Sequence, residues 1–409
     1  MKLHPRAARS LDSGAAVRAA PVGYPALDGW RGICACLVAL FHFRIVWDFG
    51  VNSHIAQAAL VQHASLFVDF FFVLSGFVIA YRYRDAVRAR TVTLRAFLAL
   101  RLGRLYPLHL FTLLLVLALV LFFRYGTHGA THVTWDGSDV TPGAFLANLF
   151  LVQALHVLPG SSWNKPSWSI SAEFATYVVY AVLWRLFGAR TWVVSAIVLI
   201  AAPVLLLIVN GTSIDVTYDW GFVRAMLGFA LGTIAFSVSR DVRVRALLAQ
   251  LSRAESTVIE VVLLAFVYVT VTVSDGTPYS LSAPFLFAGV VLVFSEAHGA
   301  VTGALLSPVM QWLGRLSYSI YMLHFPLQVA LIYLAVALAA SGQTWLFALN
   351  ADTRGARVIL GRSPWAGDAA TLIMMLVVVG ASLLIYRWIE QPWRARVRRW
   401  AAVSEPHPR

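Results

Sequence analysis

Ten apolar stretches of about 20 residues, each nearly free of charge, follow one another along this 409-residue chain and leave it one class of fold. They lie at about 30–48, 65–82, 106–123, 168–185, 191–209, 221–238, 256–273, 281–296, 317–340 and 369–388. A bilayer core roughly 30 Å thick demands that length of helix. Backbone groups inside lipid must be paired within their own segment, which helices do. Hydrophobic residues make up 59% of the chain and charged residues 12%, too little polar surface to cover a water-soluble body of this size. The expected fold is all-α: a polytopic transmembrane bundle of about ten spans, with residues 27–394 as one membrane-embedded unit between basic tails 1–26 and 395–409. A further apolar stretch, 143–158, is short, and counting it as a span puts Arg185 and Arg190 on the outer side. It is expected as a re-entrant or interfacial helix on the outer face.

Arginine sets the orientation. The segment 82–104 carries seven arginines, 240–253 carries four, and the tail from Arg387 carries six against two acids. The alternate segments 49–64, 210–220 and 274–280 contain no Lys or Arg. Basic residues mark the cytoplasmic side of membrane proteins, so both termini are expected in the cytoplasm of a multi-pass protein. The outer segment 341–368, with Arg354, Arg357 and Arg362, departs from this pattern. The net charge of +13 is therefore a topological signal and not a nucleic-acid footprint. Residues 1–26 lack a signal-peptide cleavage pattern, because the apolar run after them is long and continues into polar groups. Cys34 and Cys36 fall on different faces of the first span and have no partner cysteines, so neither a disulfide nor a thiolate metal site is expected. No metal-ligand motif, phosphate loop, dinucleotide fingerprint or nucleophile elbow is present, and His128, His132 and His156 read as loop residues.

Ionisable groups inside spans are expensive and mark function. Arg31 and His42 stand eleven residues apart on the first span, three turns and roughly 16 Å along one face at 1.5 Å per residue. His42 serves either an interhelical hydrogen bond or proton transfer. Asp69 lies among aromatic residues in the second span, and its partner is either His42, whose imidazole it would orient, or Arg44. Arg101 and Arg104, spaced i, i+3, share a face; they suit either membrane anchoring or a phosphate-rich ligand. In the run PSWSISAEF, Ser169, Ser171 and Glu173 occupy the first turns of a helix. Glu173 is there either as a helix-end carboxylate or as a site acid, and Trp168 as an interfacial anchor or a sugar platform. Arg224 is positioned for an acidic or hydroxylated substrate group. His324 is a second buried histidine, two turns beyond Arg315 and just before Pro326.

Six blocks, LDGWRGICACLVALFH, VDFFFVLSGFVIAYR, RLGRLYPLH, PSWSISAEF, GRLSYSIYMLH and IEQPWR, resemble in order the acyltransferase-3 family of integral membrane acyltransferases. They span residues 27–394. The family includes bacterial enzymes that O-acylate surface polysaccharides, lipopolysaccharide, nodulation factors and macrolides. The resemblance implies that Arg31 and His42 match the family's Arg and catalytic His, Arg101 and Arg104 its donor-binding pair, Glu173 its acid, and Tyr318 and His324 its later Tyr and His. Trp30 stands where the family usually has Leu, and Ala172 where it often has Val. Some members carry a C-terminal extracytoplasmic esterase-like domain, which is not expected here.

The resulting expectation is an O-acyltransferase of the bacterial inner membrane. It would move an acyl group, most simply acetyl, from cytosolic acyl-CoA to a hydroxyl of a glycan or lipid-linked sugar, in contact with membrane lipids and with no permanently bound cofactor or metal. Arg31, Arg101 and Arg104 would hold the donor. His42 would act as general base or as a transient acyl carrier. Asp69 or Glu173 would stabilise the imidazolium, with Glu173, Trp168, Ser171, Arg224, Tyr318 and His324 on the acceptor or supporting side. The rival from another class is a transporter or flippase of a lipid-linked glycan, in which the same buried charges line a path.

Overall fold

The structure is a computed structural model describing residues 23–46, 53–88, 92–123, 140–211, 213–274, 276–296, 298–340, 347–352, 355–360 and 363–404. The first long helix, α1, runs over Pro25–Val46. Two single-turn helices follow, α2 (His54–Gln57) and α3 (Ala59–Gln62), and then α4 over Phe67–Arg88. α5 covers Leu94–Leu121, α6 only Pro142–Leu149, α7 Trp168–Phe187 and α8 Thr191–Asn210. α9 (Gly221–Ser239), the short α10 (Val242–Gln250), α11 (Arg253–Val273) and α12 (Ala283–Glu296) come next. After α13 (Ala300–Leu305) the chain enters the 33-residue α14, Pro308–Ala340. An antiparallel hairpin of β1 (Phe347–Asp352) and β2 (Gly355–Leu360), in register from Phe347–Leu360 to Asp352–Gly355, leads to α15 (Pro364–Ile385) and α16 (Gln391–Ser404).

Among the described residues, nine helical stretches are long and apolar enough to cross a membrane. At 33 residues α14 is a tenth long helix, and its first two-thirds run parallel to α1. Gly314 abuts Asp28, the Gln328 amide donates to the Ala39 carbonyl at 3.4 Å, and His324 faces His42. α15 starts against α2: the Asp368 carboxylate accepts from Ser53 Oγ at 2.7 Å and from the Ile55 amide at 2.9 Å. Each expected span therefore coincides with a helix. Residues 395–404 of the expected tail belong to α16, and the segment expected on the outer side holds the hairpin. Residues 1–22 and 405–409, Arg354, Arg362, His128 and His132 lie outside the described residues.

The helix ends are set by side chains. Thr93 caps α5 and Ser363 caps α15, each accepting from the amide three residues on. Ser252 and Glu255 close a capping box on α11. Glu260, fully buried on α11, accepts from the Gly299 and Val301 amides, each at 3.0 Å, and from Thr302 Oγ1 at 2.6 Å, so one carboxylate caps α13 across the bundle.

The tightest crossing joins α4 to α9. A Cβ on Gly228 would come within 2.7 Å of Phe72 Cβ, and one on Gly232 would overlap the Val73 carbonyl. Gly228 and Gly232 thus form the small-xxx-small ridge that lets two backbones touch in lipid. The stretch 143–158 does not span, as expected, but it is not helical throughout. α6 ends at Leu149 and the chain then turns, with left-handed φ at Leu151 (57°), His156 (59°) and Trp163 (51°). Apolar composition suggested helix there; buried polar pairing fixes the turns instead. Asn148 Nδ2 donates to Ser162 Oγ at 2.8 Å, Gln153 Nε2 to the Ser167 carbonyl at 3.2 Å, and Ser171 Oγ to the Leu151 carbonyl at 2.7 Å.

Gly232→Leu is expected to abolish the folded protein, read as loss of a monodisperse peak on detergent size exclusion. Gly380→Ala, with nothing within 4 Å of the added carbon, is expected to keep or slightly raise the melting temperature, through a stability gain of up to about 1 kcal/mol.

Candidate functional site

Five arginines converge on one cavity of about 360 Å³ between α1, α4, α5, α7, α14 and α16. Arg31, Arg82, Arg101, Arg104 and Arg394 line it, together with Glu173, Tyr177, Tyr318 and Tyr321. Each is held differently. Arg31 Nη1 donates to Asp28 Oδ1 one turn earlier at 3.0 Å. Arg101 is buried, donates to the Tyr83 hydroxyl at 2.8 Å and stacks 4.9 Å from the centre of that ring. Arg104, one turn on, has no acidic hydrogen-bond partner among the described residues, so its donors face the cavity. The i, i+3 spacing of the pair does put both on one surface.

Glu173 belongs to this cavity and not to His42. It accepts from Ser75 Oγ at 2.5 Å and from the Tyr177 hydroxyl. Tyr318 closes the wall by donating to the Leu105 carbonyl at 2.6 Å. Tyr321 stands at the inner end. Its hydroxyl donates to the Pro166 carbonyl at 2.9 Å and lies 2.7 Å from Ser169 Oγ.

Beyond Tyr321 comes the histidine pair. The Tyr321 and His324 rings are 5.8 Å apart, and the His324 and His42 rings 4.8 Å apart at an inclination of 52°. Nδ1 of His42 faces the Val38 carbonyl at 2.9 Å, and Nδ1 of His324 faces the Ile320 carbonyl at 3.2 Å. A carbonyl only accepts, so both rings carry their proton on Nδ1 and leave Nε2 as a lone pair. The Nε2 of His324 is buried with no hydrogen-bond partner. His42 is half-buried, and its neighbour in the bundle is a second imidazole.

Asp69 is not the partner of His42. It is fully buried, and Arg224 takes both of its oxygens, Nε to Oδ1 at 2.9 Å and Nη2 to Oδ2 at 2.8 Å. The helix crossing decides this: α4 and α9 touch there, so the cation within reach comes from α9. The side chain of Arg44, the other expected partner, lies outside the described residues. Arg224 also donates to Asp215 at 3.1 Å and to the Val216 carbonyl at 3.2 Å. Trp168 covers its guanidinium, 5.6 Å from ring centre to Cζ. Both Arg224 and Trp168 are buried, and neither lines the arginine cavity. Ser171 ties the 150–158 turns to α7, a positioning contact. Arg82 and Arg394 are the cavity cations the sequence reading missed. Arg394 sits in the IEQPWR block that carried the resemblance, but nothing in its spacing pointed to residues so far back along the chain.

A family model described as an acyltransferase domain, that of acyltransferase-3, matches residues 24–387. The chain belongs to this family. It is 26% identical over 411 residues to acyltransferase MdmB of Streptomyces mycarofaciens, covering 95% of this chain and 96% of that protein. It is 22% identical over 327 residues to the peptidoglycan O-acetyltransferase OatA of Listeria monocytogenes serovar 1/2a, covering 74% of this chain and 49% of that one. No solved structure matches. This acyltransferase-3 member is accordingly a multi-pass membrane O-acyltransferase.

Asp69→Asn takes from the buried Arg224 the carboxylate that holds two of its edges and leaves it only the half-exposed Asp215, and removing one partner of a buried pair destabilises by up to about 3–5 kcal/mol. We expect a lower melting temperature and less folded protein, while the KM for donor in the surviving fraction stays at the wild-type value. A raised KM at unchanged stability would return Asp69 to the site.

Proposed function

We propose that this acyltransferase moves an acyl group, most simply acetyl, from cytosolic acyl-CoA to a hydroxyl of a carbohydrate acceptor at the bacterial inner membrane, with both termini in the cytoplasm. The observation that supports it is the arginine-lined cavity whose inner end, at Tyr321, adjoins the His324–His42 pair. A ligand for that cavity has to carry several negative charges at one end, as a nucleotide thioester does. The arginine distribution among the loops supports a cytoplasmic opening. Acetyl as the group and a glycan as the acceptor draw support from the relative named a peptidoglycan O-acetyltransferase.

In this reading Arg31, Arg101 and Arg104 hold the donor phosphates, and the thioester arm runs along the aromatic wall to Tyr321. The Nε2 lone pair of His42 takes the proton of the acceptor hydroxyl as its oxygen attacks the thioester carbonyl carbon. The C–S bond breaks, the thiolate leaves as CoA, and the imidazolium returns the proton to sulfur. Between those events the charge on His42 faces the lone pair of His324 rather than a carboxylate. Glu173, fixed by Ser75 and Tyr177, limits the positive charge of the donor cavity.

His42→Ala is expected to lower transfer of radiolabel from acetyl-CoA in isolated membranes by about 10²–10⁴-fold, the usual contribution of a general base, with the same amount of inserted protein. Full transfer by that variant would sink the role. Arg104→Ala is expected to raise the KM for acetyl-CoA about tenfold or more, as loss of a charged hydrogen bond does, and to leave insertion unchanged.

A further inference from the structure

We infer that Arg394, on the C-terminal helix α16, is a further phosphate-gripping guanidinium of the donor site, so that α16 is a wall of that site and not a tail. The inference rests on the donor reading above and adds to it a residue and an element.

Three observations carry it. The first is the docking of α16 on the Arg101–Leu102–Gly103–Arg104 turn. A Cβ on Gly103 would come within 2.6 Å of Val397 Cγ2, so the absence of a side chain between the two arginines is what admits α16. Arg394, one turn before Val397, faces the same cavity.

The second is how Arg394 is aimed. A π-turn over Tyr386–Glu390 joins α15 to α16, a local widening often found at functional positions. Glu390 is 2% exposed there. It accepts from Ser319 Oγ of α14 at 2.6 Å and pairs with Arg394 Nη2 at 2.5 Å. A buried carboxylate anchored on a third helix holds the guanidinium by one edge. The Arg394 Nε is enclosed without a hydrogen-bond partner.

The third is charge. Arg394 lies close enough to Arg104 and Arg31 for the three cations to repel one another. The acids nearby are committed: Asp28 to Arg31, Glu390 to Arg394, and Glu173 to Ser75 and Tyr177. Like charges gathered around an open cavity destabilise the empty protein and are relieved by a polyanion, which guanidiniums grip through paired N–H donors. Arg396 and Arg399 of α16 are exposed, as surface anchoring demands, whereas Arg394 turns to the cavity.

The test uses the full-length protein in nanodiscs, with CoA as the probe and two readouts, the CoA dissociation constant and the melting temperature without ligand. Arg394→Gln is expected to weaken CoA at least about tenfold and to lower the ligand-free melting temperature, because the buried Glu390 loses its cation. An unchanged dissociation constant overturns the inference. Because lost stability alone would also weaken binding, Arg394→Lys decides. Recovery of CoA affinity with the restored charge supports the assignment, and affinity as weak as that of Arg394→Gln makes Arg394 structural and overturns it. If wild-type protein binds no CoA, the donor reading itself fails and takes this inference with it.

Discussion

Helices already surrounded by lipid gain nothing by hiding apolar surface from each other, so this bundle is held by close backbone approach and by polar pairs. Gly228 and Gly232 let α9 lie directly on α4, and toward the N-terminal ends of the two helices Arg224 reaches Asp69. That contact fixes α4, whose other face supplies Ser75 and Tyr83 to the cavity. It also seats Trp168, the first residue of α7, over the buried guanidinium, and so sets how deep Glu173 lies. On the opposite side, α1 and α14 approach through Gly32 and Gly314, and the two histidines meet because the helices run parallel.

The spans were legible because bilayer thickness writes a single length into the sequence. The stretch read at 168–185 is the helix Trp168–Phe187, and that read at 221–238 is Gly221–Ser239. The arginine pair was legible too, since i, i+3 spacing determines a shared face. Pairings between distant helices were not. Asp69 had His42 and Arg44 as sequence candidates, and neither spacing nor charge shows that α9 crosses α4 at that level. Glu173 was read toward the histidine for the same reason, and Arg394 escaped notice because its neighbours come from α5 and α14. The irregular stretch after α6 misled in another way: its composition is apolar, but a handful of Asn, Gln and Ser side chains decide its path.

The serines of the PSWSISAEF block show how a motif can be structural and functional together. Ser171 holds the Leu151 turn on one face of α7, while Ser169 meets Tyr321 on the cavity side. One turn on from Ser169, Glu173 lines the same cavity. A change in the fastening therefore displaces the acid, although no serine of the pair touches a cation.

The rings of Phe71, Tyr321, His324 and His42 succeed one another between the arginine cavity and the far end of α1. A membrane that stores energy as an ion gradient tolerates no open water column through its proteins. Rings packed edge to face are a poor road for a hydrated ion, which would have to shed its water to pass them. An uncharged acyl group on a flexible arm has no such shell to lose. This run of aromatic and imidazole rings therefore opposes ion leakage far more than it opposes the arm of a thioester.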